Sequence, residues 1–351
     1  MTTNQSEQNQ QSQSLHDHVQ ATVEQRWVLP QTPLRDYQIP PDQVDEVARQ
    51  VLTAMLARPF RVGRFPAADE HAKLLERVQH WVRRGRPIHI RLGYAPMKNL
   101  NAVRHSRADW AEFFALCHLC SWHNKVHAIY PPGLRIKIVF DDSTIDMANR
   151  PSRHHMKSYM SSITPLIRAM KYDSFIVGTM RQSSFAWLFH FGLYQIAGYR
   201  VRRWDRDPAN AEALARMDEF ASRNLPLPEG LDATEQERCW REASQRYRIY
   251  WEALQLSGLT RIGSNIVAMY LDGSQHHIRQ PAALHLRTLS KEQITQPWQG
   301  EGALRDNNKG KLVPVVVTAG RAARMETSEV SGLDILPLEG FDSIRVCSET
   351  C

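Results

Sequence analysis

The amino-acid sequence predicts an α/β protein, with a Rossmann-like open sheet flanked by helices and additional α+β elements towards the C-terminus. The clearest observation is residues 134–140, in which every second side chain is apolar, at the period of a strand. A second short β-rich run lies at 87–92, and a segment of helical period precedes each run. Helices and strands that alternate with short connections are typical of α/β sheet proteins.

Signals at the ends of the segments define the elements in order. Residues 41–57 begin with a proline and have apolar residues at helical spacing, as do residues 67–84, which Gly85 follows as a stop signal. The helical period returns over 109–125, and Pro131-Pro132-Gly133 then forces a turn into the second strand. Later helices are predicted at 151–171, 184–198, 208–223 and 232–257, and later strands near 259–271, 283–288 and 312–318.

The two ends of the chain differ in composition from its middle. The first 14 residues hold five Gln and three Ser but one apolar residue, which is too little to offset the entropy of ordering. We therefore expect a disordered tail over 1–26. Residues 326–351 contain six acidic residues and one Arg, and are expected to form an acidic C-terminal segment after a single domain over 27–325.

Composition places the chain among ordinary globular proteins, since 42% of its 351 residues are apolar and 23% are charged. Five cysteines, an odd number without a secretory leader, predict a reducing cytoplasm rather than a disulfide scaffold. The most apolar stretch, 185–198, has 14 residues, whereas a membrane-spanning helix needs about 20. These features predict a cytoplasmic protein that has no membrane partner.

The formal net charge of +7 is concentrated in one window of the chain. Residues 58–107 contain twelve Lys or Arg against three acidic residues. Such clustering is typical of proteins that bind nucleic acid, an anionic membrane surface or a phosphorylated small molecule. This window contains predicted core residues and a proline-interrupted loop instead of a groove-reading helix, so a basic nucleic-acid-binding protein is the weaker alternative.

Signatures of several enzyme classes are missing. The chain has no G-x-x-x-x-G-K-[ST], no G-x-G-x-x-G after a strand, no G-x-S-x-G and no H-E-x-x-H, which argues against NTPases, dinucleotide oxidoreductases, α/β-hydrolases and zincin proteases. Cys117 and Cys120, with His123 nearby, have zinc-like spacing but lie on an apolar helical face, and no second cysteine pair accompanies them. We interpret them as core residues and expect neither a metal nor another cofactor.

Short motifs follow one another along the chain in a recognisable order. They are the strand at 87–92, the P-x-K-x-x-N loop within Ala95–Asn101, the helix start Asp109–Glu112, Tyr130–Gly133, Phe140–Asp142, Arg261–Ser264 and Gln296–Trp298. This order resembles the pyoverdine/dityrosine biosynthesis family, the isonitrile (isocyanide) synthases. The resemblance spans roughly 58–318 and is most specific over 87–142.

The resemblance implies a fold and a reaction. Members of that family convert the α-amino group of an amino acid, usually tyrosine or tryptophan, to an isonitrile whose carbon comes from ribulose 5-phosphate. It therefore implies a natural-product biosynthetic enzyme that uses an amino acid and a sugar phosphate. Phe140-Asp141-Asp142 stands where the family has Ser-Asp-Gly, and Gln299 where it has His. These departures leave open a divergent homologue with another amino-acid-modifying reaction, or one that keeps the fold without catalysis.

Candidate site residues combine these motifs with the demands of that chemistry. The reaction needs an acid, a base and a cation that stabilises enolate-like charge, and the catalytic candidates are Lys98, Asp141, Asp142 and Arg261. The substrate-binding candidates, which include cations for a phosphate, are Arg91, Asn101, Asp109, Glu112, Tyr130, Arg135, Lys137 and Trp298. For Asp109 the alternative is capping of a helix, and for Arg135 and Lys137 a solvent-facing side of the strand.

Overall fold

The structure is a computed structural model, which describes residues 3–35, 37–62, 65–99, 103, 105–140, 153–171, 175–179, 190–224, 232–256, 266–271, 283–286, 296–307, 310–322 and 324–348. It contains a parallel sheet, a smaller mixed sheet and the helices that cover them. In these ranges no helix combines the length and apolar character needed to cross a membrane. The predicted mixed α/β class is confirmed.

Three helices precede the parallel sheet: Thr3–Arg26 (α1), Val44–Met55 (α2) and Ala68–Val82 (α3). The prediction of a disordered tail over 1–26 is wrong, because α1 occupies almost all of it. Val19 and Val23 of α1 are fully buried, and His16 Nε2 lies 3.3 Å from the carbonyl oxygen of Gly332. One apolar stripe at i,i+4 spacing among the Gln and Ser residues is enough to dock the helix.

A five-stranded sheet forms the centre of the fold, with strands Ile88–Tyr94 (β1), Leu134–Phe140 (β2), Phe175–Thr179 (β3), Val267–Leu271 (β4) and Ala283–Leu286 (β5). The spatial order is β3-β2-β1-β4-β5, and all neighbouring pairs are parallel. From Ile88 and Leu134 onwards, every second residue of β1 and β2 is buried in the main core. Arg91 and Lys137 belong to the opposite face, since side chains alternate along a strand.

Between β1 and β4 the described residues form five α-helices: Trp110–His127 (α4), Arg153–Ala169 (α5), His190–Asp205 (α6), Ala211–Asn224 (α7) and Ala233–Leu256 (α8). Each overlaps a segment that the sequence predicts as helical. α6 and α8 pack on each other, and their cluster includes Met97 from the loop after β1 and Val139 from β2. These two helices therefore cover the sheet near its carboxyl edge.

A smaller sheet contains Glu301–Asp306 (β6), Leu312–Val317 (β7), Glu326–Ser331 (β8) and Ser343–Ser348 (β9), with a one-turn helix, Ala319–Ala322 (α9), between β7 and β8. Its order is β7-β6-β9-β8, in which β6 and β9 are parallel and the other pairs antiparallel. The expected acidic segment over 326–351 is thus no separate tail, because two of its stretches are strands. On β9, Arg345 pairs with Glu301 of β6 at 2.9 Å.

Helix α4 lies between the two sheets and is buried on nearly all sides. On one side, Trp110 Nε1 donates to the carbonyl oxygen of Ser343 at 2.6 Å. Further along the helix, Trp122 Nε1 donates to the carbonyl oxygen of Met55 in α2 at 3.2 Å. A helix that is buried on nearly all sides is expected inside a protein. The N-terminus of α4 lies near the carboxyl end of β1.

Candidate active site

The strand order of the parallel sheet reverses direction next to β1. The chain passes from β1 to β2 and β3 on one side, and later returns to β4 and β5 on the other. In open parallel sheets, ligands bind beyond the carboxyl ends of the strands at such a point. Tyr94, the last residue of β1, and the loop after it mark the place where a site is expected.

Lys98, in that loop, is the centre of a buried polar cluster. Its side chain is 0% exposed, and its Nζ lies 2.8 Å from Glu112 Oε2 and 3.2 Å from Asp109 Oδ2. Nζ also donates to the carbonyl oxygens of Pro297 at 3.0 Å and Gly300 at 2.8 Å. An ammonium group has three protons, and Glu112 Oε2 with these two carbonyl oxygens accounts for all three, while Asp109 contributes an ion pair. The contacts join the loop after β1 to the start of α4 and to the segment before β6.

Asp109 caps α4, as its alternative interpretation predicts, and it also holds β6. Its Oδ1 accepts from the backbone N–H of Ala111 at 2.7 Å and from that of Gly302 at 3.0 Å. The second bond requires glycine, because a Cβ at Gly302 would lie 2.1 Å from the backbone nitrogen of Ala111. Asp109 Oδ2 lies 3.4 Å from Nε2 of His105, whose side chain is 41% exposed. The cluster therefore reaches the surface through His105.

Glu112 is fully buried and completes the capping box of α4. Its Oε2 accepts from the backbone N–H of Asp109 at 2.9 Å, and its Oε1 accepts from the Tyr159 hydroxyl of α5 at 3.0 Å. The buried hydroxyl of Tyr94 neighbours that of Tyr159. Two tyrosine hydroxyls thus extend the cluster towards the end of β1.

Burial and charge oppose each other in setting the pKa values of this cluster. Burial alone would lower the pKa of Lys98, but the charges of Asp109 and Glu112 outweigh it and raise that pKa, so Lys98 remains an ammonium. Burial raises the pKa of Glu112 to about 7, with Lys98 opposing the shift and Asp109 adding to it. Burial, followed by the charge of Glu112, raises the pKa of Tyr94 and of Tyr159 well above its usual value. Glu112 is the member that changes protonation near neutral pH.

The loop after β1 is fastened to the Gln296-Pro-Trp segment. The backbone N–H of Asn99 donates to the carbonyl oxygen of Trp298 at 2.8 Å, and its side-chain amide donates to Gln299 Oε1 at 2.8 Å. The Trp298 ring packs edge-on against Tyr94 with the ring centroids 4.7 Å apart. Two motifs that are distant in the sequence therefore form one structure at the end of β1, and Gln299, a departure from the family pattern, takes part in it.

Two cations lie side by side on the sheet face opposite Tyr94. Arg91 on β1 is in register with Lys137 on β2. Burial lowers the pKa of each, and the charge of Arg91 lowers that of Lys137 further. Arg135 lies on the same face nearer the amino edge and is exposed, so the solvent-facing alternative holds for it, whereas Lys137 is half-buried. The arrangement offers concentrated positive charge to an anion.

Tyr130 lies at the opposite, amino edge of the sheet. It precedes β2 and is fully buried, with its hydroxyl 2.8 Å from the carbonyl oxygen of Arg86 and 3.2 Å from that of Trp81. The structure thus separates Tyr130 from the Lys98 cluster and gives it the contacts of a structural residue.

Four predicted site residues lie outside the described residues: Asn101, Asp141, Asp142 and Arg261. In the sequence, Asp141 and Asp142 directly follow Phe140, which ends β2 at the same edge where β1 ends. Their roles stay predictions.

The cysteines and histidine with zinc-like spacing have contacts of their own. Cys117 and Cys120 are buried, and burial raises the pKa of both thiols. His123 Nε2 lies 3.0 Å from the carbonyl oxygen of Gln31, and Nδ1 accepts from the backbone N–H of Leu134 at 3.2 Å. Burial lowers its pKa to about 4, which keeps the ring neutral. Within the described ranges, no three His, Cys, Asp or Glu side chains are grouped as metal ligands.

Three residues of the cluster are missing from the sequence-based candidates: Tyr94, Tyr159 and His105. Tyr94 ends an alternating strand and Tyr159 belongs to a helical segment, and an aromatic residue in either setting indicates core. The only signal for Tyr94 is its position before the strand-end loop. Nothing in the sequence pairs Tyr159 with Glu112, because 47 positions separate them.

Residues 78–188 match the sequence model of a family described as pyoverdine/dityrosine biosynthesis protein. Over this segment, about a third of the chain, the protein is similar to that family. The matching segment runs from within α3 past β3, and it contains Lys98, Asp109, Glu112, Tyr94 and Tyr159. The buried cluster is therefore part of the segment that matches this family model.

Among solved structures, the chain is similar to the crystal structure of the PvcA protein from Pseudomonas aeruginosa. The two chains have 18% sequence identity and a TM-score of 0.64, and the match covers 86% of this chain and 99% of PvcA. At this identity the likeness shows a shared fold. No curated protein sequence matches the chain.

Proposed function

We propose that this chain is a biosynthetic enzyme of the isonitrile synthase type, which condenses the α-amino group of an amino acid with ribulose 5-phosphate in natural-product biosynthesis. The observation that carries the proposal is the junction of two family-like motifs at the end of β1, where Lys98 and Asn99 bind the Gln296–Trp298 segment. The Rossmann-like strand order supports it, since ligand sites form at this edge. The match to the family model supports the coarser part, a biosynthetic protein with small-molecule substrates.

Arg91 and Lys137 are the proposed receptors of the sugar phosphate. The two cations are neighbours across β1 and β2, and after burial the charge of Arg91 lowers the pKa of Lys137, as expected where two positive charges repel each other. A phosphate dianion between them relieves this repulsion. Arg91 offers a planar fork of donors that fits phosphate oxygens, while Lys137 adds a point charge.

The reacting groups are proposed to come from the carboxyl edge. Asp141 and Asp142 supply acid and base, and Arg261 stabilises the charge that develops on the enolate-like intermediate. Lys98 is proposed to act as a positioning residue, because its ammonium is buried and bound by Glu112 and by the carbonyl oxygens of Pro297 and Gly300. Trp298, half-buried beside Tyr94, is placed to contact the amino-acid side chain.

The nucleic-acid alternative has less support. Lys98, one of the cations in the basic 58–107 window, is buried against Asp109 and Glu112 and so is unavailable to a surface-bound polyanion. The nucleic-acid alternative predicts that the protein binds a duplex or RNA and that this affinity falls steeply as the salt concentration rises.

Product detection tests the proposed function. The purified full chain is incubated with ribulose 5-phosphate and each proteinogenic amino acid in turn, and the products are analysed by mass spectrometry. We expect an isonitrile from at least one amino acid, and none when ribulose 5-phosphate is omitted. A product of another kind would support the divergent-homologue alternative.

A further inference from the structure

The buried cluster around Lys98 has more negative than positive charge. One ammonium group lies within 3.2 Å of the carboxylates of both Asp109 and Glu112. With all three groups ionised, an excess negative charge is buried, and an uncompensated buried charge is costly. Binding of one proton removes the excess.

Glu112 is a better place for this proton than Asp109. Asp109 Oδ1 accepts two backbone N–H bonds, and hydrogen bonds to a carboxylate favour its ionised form. Glu112 accepts one backbone N–H bond, besides those from Tyr159 and Lys98, and it is 0% exposed whereas Asp109 is 7% exposed. Burial therefore opposes the charge of Glu112 more strongly. The rise in the pKa of Glu112 agrees with this assignment.

The groups that face Glu112 come from several elements. They are Tyr94 on β1, Lys98 in the loop after it, Asp109 at the start of α4 and Tyr159 on α5. On β6, Glu301 is paired with Arg345 at 2.9 Å, so its charge is balanced. Lys98 is thus the cation that balances Glu112 and Asp109 within the described cluster.

The two tyrosine hydroxyls connect Glu112 with the end of β1. When Oε1 of Glu112 is protonated, it can donate to the Tyr159 hydroxyl at 3.0 Å. The hydrogen of the Tyr159 hydroxyl is then available to the neighbouring Tyr94 hydroxyl. Tyr94 ends β1 and contacts Trp298, so it stands at the proposed reaction site.

We propose that Glu112 stores an exchangeable proton and that Tyr159 and Tyr94 relay it to the carboxyl edge of β1, where, given the proposed function, it serves the reaction. When a reacting group takes the hydroxyl proton of Tyr94, Tyr159 passes its proton to Tyr94 and Glu112 passes its own to Tyr159. The Glu112 carboxylate that remains is paired with Lys98. His105, in contact with Asp109 and partly exposed, links the cluster to the water that restores the proton.

Infrared spectroscopy tests the stored proton without any substrate. The carbonyl band of protonated carboxyl groups is followed from pH 5 to pH 8 in the full chain and in Glu112→Gln and Asp109→Asn. Glu252→Gln is the matched control, because Glu252 is also buried but pairs with one cation, Arg200, at 2.7 Å. We expect a band that fades as pH rises and is missing in Glu112→Gln alone. No such band in the natural chain, or its loss only in Asp109→Asn, overturns the proposal.

Turnover of Tyr94→Phe tests the relay. We expect kcat to fall about 100-fold, the usual order for loss of acid or base assistance, while KM changes little. The part of the pH profile of kcat that reflects Glu112 should also disappear. Tyr37→Phe, at the amino edge beside Tyr130, is the control and should keep both kcat and the profile. An unchanged profile in Tyr94→Phe overturns the relay. If the chain forms no isonitrile but shows the infrared band, the proposed function is contradicted, whereas the proposal of a stored proton on Glu112 stands.

Discussion

Lys98 Nζ lies 2.8 Å from Glu112 Oε2 in the interior of the protein, and neither side chain has any exposed surface. The pair links the loop after β1 to helix α4, and through two carbonyl groups it also holds the segment that carries Trp298. Because these elements meet at the carboxyl edge of the sheet, the ion pair determines how the candidate site is assembled.

Removal of the Lys98 charge should destabilise the protein strongly. Lys98→Met leaves two buried carboxylates without their cation, and breaking a buried pair from one side costs about 3–5 kcal/mol. Urea unfolding measures the loss. Lys73→Met is the matched control, because Lys73 is exposed and pairs with Asp69 at 3.7 Å, and it should change stability little. Equal stability of the two variants would show that the buried cluster does not hold the fold together.

Gly302→Ala should separate β6 from α4. Its Cβ would lie 2.1 Å from the backbone nitrogen of Ala111, and backbone atoms cannot yield as a flexible side chain can. We expect a loss of about 1–3 kcal/mol in the free energy of unfolding, the usual cost of overpacking. Gly192→Ala in helix α6 has no atom within 4 Å of the new Cβ and should be neutral or slightly stabilising. If both variants unfold at the same denaturant concentration, the close approach of β6 to α4 is not as described.

Stability should depend on pH through Glu112. Its pKa in the folded chain is raised from an ordinary 4.5 to about 7, so between these values the folded state keeps a proton that the unfolded state has released. The contribution of this proton to the free energy of unfolding is fully present below about pH 4.5 and is lost as pH rises through about 7. The slope of the free energy of unfolding is up to about 1.4 kcal/mol per pH unit. In Glu112→Gln this part of the slope should vanish. Urea titrations of both chains at pH 5, 6, 7 and 8 give the comparison, and parallel curves would contradict the assignment.

Loss of Arg91 should weaken binding of the sugar phosphate. Arg91→Ala removes a charge-assisted contact worth about 1.5–3 kcal/mol, which corresponds to a rise in KM for ribulose 5-phosphate of about 10-fold to 100-fold. KM for the amino acid should change much less. Arg49→Ala, on the exposed surface of α2, serves as the control. A similar rise in KM for both substrates would argue that Arg91 supports the sheet and does not bind the phosphate.

Five of the nine described strands and several candidate site residues can be predicted from local patterns, whereas β3, β6, β8 and β9 are missing from the predicted strands. The alternation over 134–140 is β2 as observed, and Asp109 and Glu112 stand at a helix start because a capping box is a short-range signal. The motif order also brings Lys98 and Trp298 to one place. Tertiary contacts decide the rest. Helix α1 depends on docking of Val19 and Val23, and the role of Tyr159 depends on a contact with Glu112 from another helix.

Charge patterns mislead where the partner is distant in the sequence. The acidic stretch after residue 326 looks like a solvated tail, yet β9 within it pairs with β6, and Arg345 meets Glu301. Lys98 in the basic window looks like a surface cation, although it is buried against two carboxylates. In each case the net charge of a segment is visible in the sequence, whereas the compensating charge is not.

The most direct measurement follows the carbon atom of the product. The full chain is supplied with its amino acid and with ribulose 5-phosphate labelled with carbon-13, and the product is examined by mass spectrometry and carbon NMR. We predict an isonitrile whose terminal carbon carries the label. In Arg91→Ala, we expect this product to be lost when the concentration of ribulose 5-phosphate is low. Absence of any isonitrile with every amino acid tried, or an isonitrile without label, would contradict the proposed function.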